Sequence, residues 1–132
     1  MFFGGAGMKY SLGIDAIEIS RIEKSIKTPG FIERVFSPLE IEYFEDTGMK
    51  AHSLAATFCA KEAFSKAIGT GIRGFALAEV QVIRNSLGKP SLHFIGNAAK
   101  IVAEKGLSFD LSLTHTDSLA MAVVIAYGDE NK

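Results

Sequence analysis

The segment that most constrains the fold is a helical pattern that runs from about residue 52 to 68 and ends at Gly69. Its large apolar residues, Leu54, Phe58 and Phe64, recur at helical spacing and give the segment an apolar side. Alanines and Cys59 fill the positions between them, and such small residues let a ligand approach closely. A glycine directly after the last apolar position is typical of a helix end. We predict that this segment is the central core helix.

The remaining segments predict an α+β fold. Residues 10–19 are apolar and β-branched, which predicts a largely buried strand, and Ser20 is a candidate N-cap for the next helix. Short helices are expected at 31–36 and after Ser37-Pro38. The second half predicts a hairpin of strands at 79–84 and 91–95, a helix capped by Asn97, and two last strands at 109–116 and 119–127. Helices in the first half and antiparallel hairpins in the second favour the α+β class.

Length and composition favour one domain with few special features. The 132 residues, 48% of them hydrophobic, suit a single domain over residues 8–132 that follows a flexible N-terminal extension over residues 1–7. A formal net charge of -1 gives no general basic field, so we expect no nucleic-acid partner. The single Cys59 predicts a buried thiol in a reducing cytoplasm, and no apolar run is long enough to predict a membrane span.

Two carboxylates stand out as candidate metal ligands. Asp15 lies within an apolar strand, where an ionised carboxylate is costly unless it is paired, hydrogen-bonded or bound to a metal. It could equally cap a helix or pair with an arginine. Glu62 lies in the central helix with Lys66 four residues later, a spacing also common in exposed ion pairs. Together, two carboxylates and nearby lysines suit Mg²⁺ and phosphate oxygens.

Other segments offer groups for an anionic ligand, each with a simpler reading. Gly69-Thr70-Gly71 would let the backbone approach a ligand and Arg73 could reach a phosphate, although Gly69 also fits a helix end. Residues 112–116 place hydroxyls and His115 at a strand end, where a histidine is often only solvated. His52 and His93 lack partners at zinc-ligand spacing, so we interpret them as surface residues.

The region after the first strand is locally basic. Arg21, Lys24, Lys27 and Arg34 supply the positive charge, which Glu23 and Glu33 dilute. This pattern fits either a solvated face or a surface for an acidic protein partner.

These residues resemble the holo-acyl-carrier-protein synthase family, the small type of 4′-phosphopantetheinyl transferase. The combination of Lys-Glu-Ala-x-x-Lys and Gly-Thr-Gly after an Ile-Asp strand is more specific than any one motif. The resemblance covers nearly the whole chain from Met8 onward, with matching segments GIDAIEISRI at 13–22, FIERVFSPLE at 31–40, FCAKEAFSKAIGTGI at 58–72, Gly88-Lys89-Pro90 and LSLTHT at 111–116.

The resemblance implies a reaction and its participants. The phosphopantetheine arm of coenzyme A would pass to a serine of an acyl carrier protein and release adenosine 3′,5′-bisphosphate. The resemblance further implies Mg²⁺ as cofactor and a homotrimer whose active sites lie between subunits. The implied fold is a long central helix on an antiparallel sheet with additional short helices.

The same resemblance assigns roles to individual residues. Asp15 and Glu62 would hold the metal and, with Lys66, carry the catalysis. Eight residues would bind coenzyme A, and Arg21 and Arg34 would bind the carrier protein. The coenzyme A group consists of Lys61, Lys66, Gly69, Thr70, Gly71, Arg73, His115 and Thr116.

One position departs from the family pattern, and two other functional classes compete. Many relatives have an arginine where Thr57 stands, so a phosphate contact is expected from elsewhere, either Arg73 or another lysine. The serine proton could go to Glu62 directly or through a metal-bound water. The alternatives are a non-catalytic carrier-protein or nucleotide-binding module, and a Mg²⁺-dependent phosphohydrolase.

Overall fold

Five strands and five α-helices make up the part of the chain that the computed structural model describes, residues 7–129. In chain order they are β1 (Met8–Glu18), α1 (Ile19–Ser25), α2 (Phe31–Val35), α3 (Pro38–Asp46), α4 (Ala51–Ala67), β2 (Val80–Arg84), β3 (Pro90–Phe94), α5 (Gly96–Lys105), β4 (Ser108–His115) and β5 (Leu119–Asp129). The predicted N-terminal extension, residues 1–7, lies outside the described residues except for Gly7. Within residues 7–129, no helix is long and apolar enough to cross a membrane.

The main sheet has the order β1-β5-β4 and is antiparallel throughout. β5 lies in the middle because it pairs with β4 on one side and, along its whole length, with β1 on the other, from Met8 opposite Asp129 to Glu18 opposite Leu119. Asp15 and Leu113 are both paired with Ala122, so these two residues lie in one row across the sheet. The predicted hairpin of β2 and β3 forms a second, two-stranded antiparallel sheet.

β1 differs from the prediction of a largely buried strand. Gly13 and Ile17 on one face are buried, whereas Leu12 and Ile14 on the other face are 66% and 57% exposed. Side chains alternate between the two faces of a strand, and α4 covers only one of them. Asp15 is on the covered face, where its side chain keeps 19% of its exposure.

Helix α4 packs directly on the covered face of the sheet, as the central core helix of the prediction. Small residues on both elements allow the close approach, and Gly13 shows how close it is. A β-carbon added at Gly13 would overlap the carbonyl oxygen of Ala63 and lie 2.7 Å from the amide nitrogen of Ala67. This contact fixes the C-terminal half of α4 beside β1 and brings Glu62 and Lys66 towards Asp15.

Only one of the helix starts is capped as expected. Ser37 and Glu40 form a capping box, in which each side chain accepts a hydrogen bond from the other residue's backbone N–H. Ser20 does not cap α1 and Asn97 does not cap α5, because the N-cap positions lie two residues earlier, at Glu18 and Ile95. Both predicted caps are therefore wrong.

Candidate active site

Asp15 and Lys66 form the best-defined contact of the site. Lys66 Nζ lies 3.2 Å from Asp15 Oδ1 and donates a second hydrogen bond, 2.9 Å long, to the carbonyl oxygen of Ile14. The partner of Asp15 is thus a lysine from α4, neither an arginine nor a helix end. Because the Lys66 side chain remains 55% exposed, its ammonium also faces solvent.

Glu62 completes the cluster as a second carboxylate. Burial raises the pKa of Glu62 first, the charge of Asp15 raises it further, and Lys66 opposes both effects. Among the described residues, no side chain or backbone group donates a hydrogen bond to the Glu62 carboxylate. The site therefore holds two interacting carboxylates and one ammonium, which is hydrogen-bonded to Asp15.

This donor set fits a hard divalent cation. Two carboxylates that repel each other and lack enough donors are stabilised by a cation, and oxygen ligands suit Mg²⁺. Within residues 7–129, no group of three or more His, Cys, Asp or Glu side chains is arranged to hold a metal. Mg²⁺ usually takes one or two protein carboxylates and completes its shell with water and phosphate oxygens.

Cys59 lies beside the two carboxylates but is chemically inert. Its thiol is buried 3.6 Å from the carbonyl oxygen of Ala120. Burial, with further contributions from Asp15 and Glu62, raises the pKa of the thiol to about 12. The thiol therefore stays protonated at neutral pH, and its burial confirms the prediction of a buried thiol.

The loop after α4 is built as a glycine-dependent turn next to Lys66. Gly69 and Gly71 have positive φ angles of 80° and 64°, which residues other than glycine rarely adopt. The Thr70 hydroxyl donates to the carbonyl oxygen of Gly71, and the amide of Gly71 donates to Ser65. Arg73 is exposed in this loop. Gly69 directly follows the C-cap Ile68, which agrees with its interpretation as a helix end.

The position of Lys61 excludes the phosphate contact that was predicted for it. Its side chain is fully buried, and its ammonium donates three hydrogen bonds: to Glu40 Oε1 at 2.6 Å, to Leu77 O at 3.0 Å and to Val80 O at 2.6 Å. Lysine has three N–H donors, so none is left for a ligand. We therefore correct the assignment: Lys61 is a structural residue that joins α4 to α3 and to the start of β2.

His115 lines a cavity at the other end of α4. Its ring stacks on that of His52, with centroids 4.1 Å apart and an angle of 28° between the planes. His52 is therefore half-buried rather than the surface residue of our interpretation, and its pKa is lowered first by burial and then by His115 and Lys50. The cavity has a volume of about 320 Å³ and also contacts Arg84 and Lys89.

Thr116 has a local structural role, and the two predicted carrier-binding arginines are exposed. The hydroxyl of Thr116 accepts hydrogen bonds from the amides of Ser118 and Leu119 and so shapes the turn between β4 and β5. Arg21 and Arg34 are exposed on α1 and α2, and neither forms an ion pair with another described residue. Their charges therefore face solvent.

The sequence did not single out Arg84. Its guanidinium nitrogen lies 3.3 Å from the Thr57 hydroxyl, and its central carbon lies 4.7 Å from the centre of the Tyr43 ring. Thr57 itself is fully buried. Strand β2 brings Arg84 to α4 across 27 residues of chain, and no local pattern in the sequence signals such a pairing.

The fold and the site together define an α+β protein with a two-carboxylate site suited to a divalent cation and phosphate groups. The sequence profile of the 4′-phosphopantetheinyl transferase superfamily matches residues 11–124. The chain belongs to this family.

Individual proteins agree with this assignment. The holo-acyl-carrier-protein synthase of Caldanaerobacter subterraneus is 43% identical over 126 residues, which cover 94% of this chain and 99% of that protein. The crystal structure of the synthase from Neisseria meningitidis has a TM-score of 0.82 and 32% identity, covering 88% of this chain and 96% of that one. The synthase from Bacillus anthracis, in complex with CoA (3′,5′-ADP), has a TM-score of 0.77 and 31% identity, with 92% and 99% covered. The predicted fold class is confirmed.

Proposed function

We propose that this protein transfers the 4′-phosphopantetheine group of coenzyme A to a serine of apo-acyl carrier protein, releasing adenosine 3′,5′-bisphosphate. The observation that carries the proposal is the cluster of Asp15, Glu62 and Lys66 on the covered face of the sheet. Family membership supports the reaction, and the complex of the Bacillus anthracis relative supports coenzyme A as the donor.

The residues of the cluster divide the work of phosphoryl transfer. Asp15 and Glu62 would hold Mg²⁺, which supplies positive charge that stabilises the phosphate oxygens when it is bound. Lys66, whose ammonium is partly exposed, would bind a phosphate oxygen and stabilise the charge that develops on the leaving bisphosphate.

In the reaction, the serine oxygen forms a bond to the β-phosphorus of coenzyme A, and the bond from that phosphorus to the bridging oxygen breaks. Glu62 is suited to accept the serine proton, since none of the described groups donates a hydrogen bond to its carboxylate.

The rest of coenzyme A would extend along α4. The loop from Gly69 to Arg73 adjoins Lys66 and would contact the donor with backbone groups and the Arg73 guanidinium. The cavity beside His115 would receive the nucleotide end, because it lies on the same face of the sheet as Asp15 and is open to solvent. Lys61 takes no part in binding in this proposal.

Arg21 and Arg34 would bind the carrier protein. Both side chains are exposed and unpaired by carboxylates within residues 7–129, so their charges are available to an acidic partner. Rim charges of this kind mainly raise association rates and fix orientation.

We also propose that three copies assemble, with active sites between them. The uncovered face of the sheet supports assembly, because Tyr10, Leu12 and Ile14 are 65%, 66% and 57% exposed and continue onto Val123 of β5. Burying such a face removes apolar surface from water, and a large exposed apolar patch marks an interface. Asp15 directly follows Ile14 on β1, on the opposite face of the strand, and would be near the subunit boundary.

The test is incubation with apo-acyl carrier protein, coenzyme A and MgCl₂, followed by intact-mass analysis of the carrier. We expect the carrier to gain the mass of one phosphopantetheine arm, and we expect EDTA to abolish the gain. No gain with any apo-carrier protein would leave the non-catalytic binding module as the better hypothesis. Release of phosphate or bisphosphate without carrier modification would favour the phosphohydrolase.

A further inference from the structure

Arg84 is a charged side chain that forms no ion pair with the carboxylates of residues 7–129. Its guanidinium is half-buried, and its one hydrogen-bond acceptor among the described residues is the hydroxyl of Thr57 at 3.3 Å. The buried carboxylate Glu40, whose charge acts on Arg84, is hydrogen-bonded to Lys61. Burial lowers the pKa of Arg84, yet a guanidinium remains charged at neutral pH.

The cavity that Arg84 lines is suited to an anion. Lys89, His52 and His115 add three further nitrogen-bearing side chains, and Ser53 and Ser112 add hydroxyl donors. None of the described residues that line the cavity is acidic. Lys89 has an exposed carboxylate, Asp110, at 3.7 Å, which is a weak pairing. Arg84 can present the free part of its planar fork to a phosphate, with which guanidinium groups form paired hydrogen bonds.

The position of the cavity separates it from the reacting phosphates. Ala56 of the cavity wall and Glu62 are six residues apart on α4, which corresponds to about 9 Å along the helix axis. Leu113, also in the wall, is two strands away from Asp15, or about 10 Å. Coenzyme A has two separate phosphate groups, the pyrophosphate and the ribose 3′-phosphate. If the pyrophosphate reacts at Asp15 and Glu62, the ribose phosphate is the group left for the cavity.

We propose that Arg84 binds the 3′-phosphate of coenzyme A and thereby determines the preference for coenzyme A over dephospho-coenzyme A. The inference rests on the proposed function. Arg84 would also replace the phosphate contact that an arginine at position 57 supplies in many relatives. Its guanidinium reaches the same part of α4 from β2 and donates a hydrogen bond to the Thr57 hydroxyl. Arg73, the replacement expected from the sequence, lies beyond the opposite end of α4 and does not line this cavity.

The experiment compares donors rather than overall activity. KM and kcat are measured with coenzyme A and with dephospho-coenzyme A for the wild type, Arg84→Met, Arg84→Lys and the control Lys100→Gln. Methionine keeps the apolar stem that lies against Tyr43, lysine keeps the charge but loses the fork, and Lys100 is an exposed cation on α5. Circular dichroism verifies that each variant is folded.

For Arg84→Met we expect KM for coenzyme A to rise about 10- to 100-fold, the loss of a charge-assisted hydrogen bond, with little change for dephospho-coenzyme A. Arg84→Lys should fall between the wild type and Arg84→Met, and Lys100→Gln should match the wild type. Equal effects on both donors, or no effect on either, would overturn the role of Arg84.

Calorimetric titration tests the role of Arg84 separately from the proposed transferase reaction. Wild-type protein should bind adenosine 3′,5′-bisphosphate more tightly than AMP, and Arg84→Met should remove most of that difference. Wild-type protein without transferase activity that still shows this preference would contradict the reaction but not the role of Arg84. An active wild type whose Arg84→Met variant keeps the preference would contradict the role of Arg84 alone.

Discussion

Replacing Lys61 with methionine removes an ammonium from the core while keeping most of its apolar stem. Three hydrogen bonds disappear, among them the 2.6 Å contact with Glu40 Oε1. Glu40 is 1% exposed and would keep only backbone donors, from Ser37 at 2.9 Å and Val82 at 2.8 Å. A buried carboxylate without its counter-ion is the main cost of this substitution.

The magnitude follows from this geometry. Removing one partner of a buried ion pair costs about 3–5 kcal/mol of the free energy of unfolding. For a chain of this length, such a loss lowers Tm by roughly 10–20 °C. Because the total free energy of unfolding of a small domain is about 5–15 kcal/mol, the variant should be folded but marginally stable.

The assay is urea unfolding at a fixed protein concentration, since assembly would make stability concentration-dependent. Far-UV circular dichroism is the suitable probe, because the sequence contains no tryptophan. The double variant Glu40→Gln with Lys61→Met is the control. It removes the orphaned charge and should recover part of the loss.

Kinetics separate this structural role from phosphate binding. At a temperature where Lys61→Met is folded, KM for coenzyme A should stay close to that of the wild type. A variant with unchanged urea midpoint and a raised KM for coenzyme A would refute the reasoning, because it would show that Lys61 reaches the ligand.

Four further substitutions test other parts of the structure. Glu62→Gln should lower transfer about 10²- to 10³-fold. Burial and the charge of Asp15 raise the pKa of Glu62 in the folded state, so the folded wild type loses stability as the pH rises through that pKa. Glutamine does not titrate. Without metal, the free energy of unfolding of Glu62→Gln should therefore rise relative to that of the wild type between acidic and neutral pH, as measured by urea unfolding. Gly13→Ala should cost about 3 kcal/mol in urea unfolding, since its β-carbon meets helix backbone that cannot move aside. Leu12→Asp should shift the protein from trimer to monomer in light scattering, and a wild type that is already monomeric would contradict the assembly. Arg21→Glu should raise KM for the carrier protein about tenfold with KM for coenzyme A unchanged, and equal changes in both would contradict a carrier-specific role.

Local sequence patterns predicted the helices and strands more successfully than the pairing between distant strands. The central helix was predicted at 52–68 and is observed at Ala51–Ala67, because apolar spacing and a terminal glycine are local signals. The β2–β3 hairpin was predicted for the same reason. The pairing of β1 with β5 joins residues more than a hundred positions apart, such as Met8 and Asp129, and no local pattern encodes it.

The carboxylate cluster was predictable in membership but not in its contacts. Asp15 was predicted because an ionised carboxylate in an apolar strand needs compensation, and Glu62 because the small helix residues around it let a ligand approach closely. The structure brings the two carboxylates close enough to interact. The sequence spacing suggested that Lys66 pairs with Glu62, whereas the structure pairs Lys66 with Asp15. A helix pair at this spacing is worth only a few tenths of a kcal/mol, so a tertiary partner easily displaces it.

The sequence by itself determined the class of fold, the central helix and the carboxylates suited to a divalent cation, because hydrophobic periodicity and residue chemistry depend on residues that are close together in the sequence. Tertiary structure alone decided which lysine is buried and which stays partly exposed: Lys61 and Lys66 are both helical lysines of α4, yet one enters the core and the other reaches Asp15. It also decided that Arg84 stands beside Thr57. These outcomes depend on which elements pack against each side of α4, and packing between distant segments follows from the whole chain's burial of apolar surface.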